Sequence, residues 1–124
     1  MEKFLSTPSH TTPYIYFNPE NEILEMKGNS TLINAREVFS ELYTALGNFK
    51  KSIYPKLKVN IQLEYFNTST YKCLLDTMIC LKEIKSTGKN IVVTWYYNIE
   101  DEDALEHGED IAQLSGMHLD LVGI

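Results

Sequence analysis

Residues 57–65, Leu57-Lys58-Val59-Asn60-Ile61-Gln62-Leu63-Glu64-Tyr65, alternate strictly between apolar and polar side chains. Successive side chains of a strand point to opposite faces, so Leu57, Val59, Ile61, Leu63 and Tyr65 are expected on one dry face. Lys58, Asn60, Gln62 and Glu64 are expected on the other. A strand of this kind belongs to a sheet covered on one side and left at least partly wet on the other.

The neighbouring segments say what does the covering. Upstream, Tyr14-Ile15-Tyr16-Phe17 and Glu22-Ile23-Leu24-Glu25-Met26-Lys27 flank Asn18-Pro19-Glu20-Asn21, a hairpin signal. Asn34-Ala35-Arg36-Glu37 offers a capping box, and Val38, Phe39, Leu42, Tyr43, Leu46 and Phe49 recur at helical spacing, which predicts a helix over about 34–51. Downstream of the alternating strand, Tyr71, Leu74, Leu75, Met78, Ile79, Leu81 and Ile84 predict a second helix that Thr87-Gly88 stops. Asn90–Tyr97 reads as a strand, 99–114 as a third helix capped by Asn98, and 118–122 as a last strand. The expected order is ββαβαβαβ over a single domain spanning 1–124, with 1–12 as an extended lead-in, where Pro8 and the following Pro13 are two of the four prolines. Strands that alternate with helices make an α/β layer structure, and the opening hairpin makes its sheet mixed, with the helices mainly on one face.

Charge narrows the function. The chain carries 11 Lys+Arg against 17 Asp+Glu, a net −6. Seven of the carboxylates lie between Glu100 and Asp110, and the rest of the chain is close to neutral. Neither a general nucleic-acid binder nor a protein docking on anionic lipid fits, since both need a basic footprint. No apolar run reaches the ~20 residues of a membrane helix, and no apolar signal segment follows Met1-Glu2-Lys3, so a cytoplasmic protein is expected. Cys73 and Cys80 stand two turns apart on one predicted helix, roughly 10 Å along its axis, too far for a disulfide. They read as reduced, semi-buried thiols.

Motifs for catalysis are scarce. There is no Gly-x-Gly-x-x-Gly, Walker loop or Gly-x-Ser-x-Gly elbow, and the six glycines are dispersed. His107 and His118 with Glu106, Glu109 and Asp110 lack tight metal-ligand spacing, so no metal, no cofactor and no enzyme activity are expected. The turn Asn67-Thr68-Ser69-Thr70, between strand and second helix, holds more polar residues than a cap requires. Asn67 or Thr68 serves as N-cap, and the remaining hydroxyls are expected to stand exposed at the positive end of a helix dipole. Lys72 follows Thr68 by one turn. Plain capping and a phosphorylation switch both fit this turn. In the third helix, Glu100, Asp101, Glu102 and Asp103 complement the dipole, whereas Glu106, Glu109 and Asp110 lie beyond the first turn. These three read either as a docking surface for a basic partner or as a solvated face.

Thr12-Pro13-Tyr14-Ile15-Tyr16-Phe17, Gly28-Asn29-Ser30, Leu63-Glu64-Tyr65-Phe66-Asn67-Thr68-Ser69, Trp95-Tyr96-Tyr97 and Leu105-Glu106-His107-Gly108-Glu109-Asp110 together resemble the SiaC family of bacterial regulatory phosphoproteins. The resemblance runs from about residue 12 to 122. It implies a fold like that of anti-sigma-factor antagonist (STAS) domains. It also implies a switch in which a serine/threonine kinase phosphorylates a threonine of the Asn-Thr-Ser segment and a metal-dependent phosphatase removes the phosphate. The unphosphorylated form is then expected to bind and activate a diguanylate cyclase, raising cyclic di-GMP and altering biofilm behaviour. By position the acceptor is Thr68, with Ser69 as the alternate and Asn67, Thr70 and Lys72 around the phosphate.

Overall fold

The structure, a computed structural model, describes residues 3–124. Six strands and three helices follow one another as β1 (Phe4–Ser6), β2 (Tyr14–Asn18), a 3-10 turn (Pro19–Asn21), β3 (Ile23–Ser30), α1 (Arg36–Lys50), β4 (Lys56–Phe66), α2 (Thr68–Ser86), β5 (Asn90–Tyr97), α3 (Glu102–Ser115) and β6 (Asp120–Gly123). The strands form one sheet in the order β1-β2-β3-β4-β5-β6. The β1/β2 and β2/β3 pairs are antiparallel, and β3/β4, β4/β5 and β5/β6 are parallel, each parallel pair joined through a helix. The three helices lie side by side on one face, where Phe39, Leu42, Leu46, Phe49, Leu74, Met78, Leu81 and Ile111 share a core with the dry sides of the strands. The other face carries Tyr14, Tyr16, the Glu25–Lys27 ion pair, Lys58 and Gln62. Among the described residues, no helix is long and apolar enough to cross a membrane.

The expected order lacks one strand. Within the expected lead-in, Phe4–Ser6 pairs with β2, because the buried Ser6 Oγ donates to the Pro13 carbonyl (2.7 Å) and accepts from the Ile15 N–H (2.8 Å). Three residues are too few to display a period, and the Ser6 hydroxyl adds its two bonds to a short backbone ladder.

Two helix starts also differ from expectation. No side chain caps α1. The Asn34 side chain donates to Glu37 Oε1 (3.4 Å) and not to the backbone, and the Ala35 N–H is taken by Ser69 Oγ of α2 at 3.0 Å. A side chain of a neighbouring element thus satisfies one of the free donors at this helix start, where a local capping box was expected. At α3 the cap is Asp101, whose Oδ1 accepts from the Ala104 N–H (3.1 Å), while Asn98 Oδ1 accepts from the Glu100 N–H (2.9 Å) in the turn before it. Helix α3 therefore begins at Glu102, and Glu100 lies outside it.

The alternation of β4 breaks at its end. Gly28 pairs with Leu63 and Asn29 with Tyr65, so Glu64 is an extra residue in β4, a bulge that reverses the pleat beyond it. Tyr65, expected on the dry face, is 62% exposed. Phe66 turns inward in its place, with ring centroids 6.0 Å from Trp95, 6.5 Å from Tyr71 and 5.1 Å from His107. Gly28 supports the bulge with φ +94, a conformation that costs any residue with a Cβ. The space around it is open, so Gly28→Ala meets only backbone strain and is expected to lose about 1–2 kcal/mol in urea unfolding. A midpoint equal to wild type would show that the bulge relaxes without it.

Candidate functional site

The turn between β4 and α2 uses its polar residues one by one. Asn67 is the N-cap: its Oδ1 accepts from the Thr70 N–H (3.0 Å), its Nδ2 donates to the Leu32 carbonyl (2.9 Å) and its own N–H bonds the Ser30 carbonyl (3.1 Å). Ser69, half-buried, receives the Ala35 N–H. Thr70 was expected among the exposed hydroxyls, but it is fully buried. Its Oγ1 lies 2.6 Å from Ser30 Oγ and 3.1 Å from the Ser30 carbonyl. The parity of the helix turns Thr70 toward the sheet, a consequence of placing the cap at Asn67 and not at Thr68. Segment 30–35 is thereby fastened to segment 67–70 along its whole length.

Thr68 differs from its neighbours. It is the first residue of α2, it is exposed, and its hydroxyl makes no hydrogen bond within the described residues. Lys72 lies one turn on, also exposed. Thr68 lines a shallow cavity of about 320 Å³ together with Phe66, Asn67, Tyr71, His107 and Asp110. Asp110 of the acidic helix and Thr68 thus share one groove, a meeting that the sequence did not announce. Glu106 and Glu109 lie on α3 but do not line that groove.

Helix α3 is held against the sheet by a close contact. Trp95 of β5 is 2% exposed, and its Nε1 donates to the Ala104 carbonyl at 3.0 Å. A Cβ on Gly108 would stand 2.8 Å from Trp95 Cδ1, so the approach requires the glycine. Next to this contact the His107 ring packs on Phe66 and Tyr71, at 5.1 and 5.9 Å between centroids. Burial, and then the Asp110 carboxylate, push the Tyr71 phenol above its ordinary range. Phe66, Tyr71 and His107 were not among the expected site residues. The signal for them was the tight Trp95–Gly108 pairing, which becomes visible only once α3 is laid on β5.

Elsewhere, Arg36 and Asp76 join α1 to α2 through a 2.7 Å exposed ion pair. Burial raises both the Cys73 and the Cys80 thiols above their ordinary range, which leaves little thiolate at neutral pH.

Residues 6–123 match the model of the SiaC family regulatory phosphoproteins. The chain belongs to that family. It is 26% identical over 105 residues to an uncharacterised protein of Pseudomonas aeruginosa strain UCBPP-PA14, covering 85% of this chain and 83% of that protein. Among solved structures, it superposes on apo-SiaC from Pseudomonas aeruginosa with a TM-score of 0.89 at 22% identity, covering 99% of this chain and 100% of the other. It also superposes on a chain from the crystal structure of diguanylate cyclase SiaD in complex with its activator SiaC, from the same organism. There the TM-score is 0.89 at 22% identity, over 98% of this chain and 99% of that one. The SiaC fold is therefore the fold of this chain.

Proposed function

We propose that this SiaC family protein is a non-enzymatic cytoplasmic switch whose phosphoacceptor is Thr68. A serine/threonine kinase adds the phosphate and a metal-dependent phosphatase removes it. The unphosphorylated form binds and activates a diguanylate cyclase. The observation that carries the choice of residue is the division of labour at the start of α2: Ser69 and Thr70 hold other parts of the protein, whereas the Thr68 hydroxyl is exposed and unbonded within the described residues. A phosphate on Ser69 would have to displace the Ala35 N–H and part α1 from α2. On Thr68 it would meet the free N–H groups and dipole of the helix start.

The mechanism is electrostatic and steric. Phosphorylation adds roughly −1.5 to −2 charges at pH 7 to a groove that already contains Asp110. A partner that fits the groove beside an unmodified Thr68 then meets a hydrated phosphate dianion, and its binding weakens. The test uses a serine/threonine kinase and a diguanylate cyclase from the same organism. Incubation with kinase and ATP should place one phosphate on Thr68 by mass spectrometry, none on Thr68→Ala, and the phosphorylated protein should bind the cyclase at least about tenfold less tightly. A protein without phosphate on Thr68 or Ser69 would sink the switch. A Thr68→Ala variant still inhibited by the kinase would sink the site.

A further inference from the structure

We propose that His107 is the residue of α3 that receives the phosphate on Thr68. This rests on the reading of Thr68 as acceptor and adds to it a positioning residue outside the Asn67–Lys72 segment. His107 stands in the wall between two cavities. One, of about 320 Å³, holds Thr68 and Asp110, and the other, of about 140 Å³, is lined by Glu64, Asp101 and Asp103. The imidazole is half-buried and held by the rings of Phe66 and Tyr71, yet neither ring nitrogen makes a hydrogen bond within the described residues. A ring fixed in place with both nitrogens unused is a ready donor.

Every element packed there contributes charge or a titratable group. β4 brings Glu64 and the Tyr65 phenol, the turn before α3 brings Asp101, α3 brings Asp103 and Asp110, and α2 brings the Tyr71 phenol. The lining side chains of the two cavities are thus acidic or neutral apart from the imidazole. A phosphate arriving on Thr68 is repelled by Asp110 and needs a cation. Lys72 offers one on a long exposed stem; His107 offers one already held in position. A proton on the imidazole and the second negative charge on the phosphate stabilise each other. The phosphate would then be fixed against α3 rather than free in solvent.

The experiment is a 31P NMR pH titration of protein phosphorylated on Thr68, verified by intact mass. Loss of the imidazole should leave the dianion less stabilised, so the phosphothreonine midpoint in His107→Gln should rise by about half a pH unit or more. His107→Lys, which keeps a cation, should hold the midpoint at or below the wild-type value. Asp110→Asn, which removes a like charge, should lower it. An unchanged midpoint in His107→Gln overturns the proposal, as does a raised midpoint in His107→Lys, so either variant decides if the other fails to fold. Absence of phosphate from Thr68 overturns the switch itself, a result distinguishable from phosphate present with an unmoved midpoint.

Discussion

Trp95→Ala is expected to lower stability by about 3–5 kcal/mol and the melting temperature by on the order of 10–20 °C. The indole is 2% exposed, lies edge-on to Phe66 at 6.0 Å and bonds the Ala104 carbonyl, so its removal leaves a cavity where α3 meets the sheet. Trp95→Phe should cost less, because a large ring remains and the Ala104 carbonyl keeps its bond within the helix. Gly108→Ala should cost about 1–3 kcal/mol by overpacking in the wild-type background. In the double variant W95F/G108A the ring facing the new methyl group is smaller, and the same substitution should cost clearly less. Chemical denaturation of wild type, the two single variants and the double variant forms a cycle. Additive costs would mean that the indole is not what Gly108 makes room for.

Thr70→Val should cost about 1–3 kcal/mol although it conserves shape and adds no cavity. The substitution removes the hydroxyl that meets Ser30 at 2.6 Å, and Ser30 Oγ, buried at 0% exposure, is left without that partner. The Ser30 carbonyl suffers less, since the Asn67 N–H still reaches it at 3.1 Å. Combining Thr70→Val with Ser30→Ala removes both polar groups and should recover much of the loss. Urea midpoints for the pair decide it, and a double variant worse than the sum of its parts would overturn the expectation. Because segment 30–35 is fastened here, Thr70→Val should also loosen the start of α1 and raise amide exchange at Ala35.

The sheet was legible where one residue type repeated over a whole element. The alternation through Leu57–Leu63 and the apolar faces of α1 and α2 predict the layers because burial of one face is a repeated, local constraint. Legibility failed where a single contact from elsewhere decides the outcome. Ser69 supplies the donor's partner at α1, the Glu64 bulge exchanges Tyr65 for Phe66, and Ser6 draws Phe4–Ser6 into the sheet. The candidate site followed the same division. The Asn67–Thr70 turn stood out by its surplus of polar residues at a helix start, and the choice of Thr68 within it came from the family resemblance. The arrival of His107 and Asp110 beside Thr68 depends on how closely α3 approaches β5, which a periodicity cannot convey.

The strand order of the sheet repeats the order of the chain. Each strand therefore docks on an edge made by the segment synthesised just before it, and no strand waits for a distant one. Contacts of this kind keep sequence separations short for a sheet with three parallel pairs out of five, and short separations shorten the search for the native state. The chain should accordingly refold toward the faster end of mixed α/β domains, adding strands outward from the β2–β3 hairpin, with β6 the last edge to form.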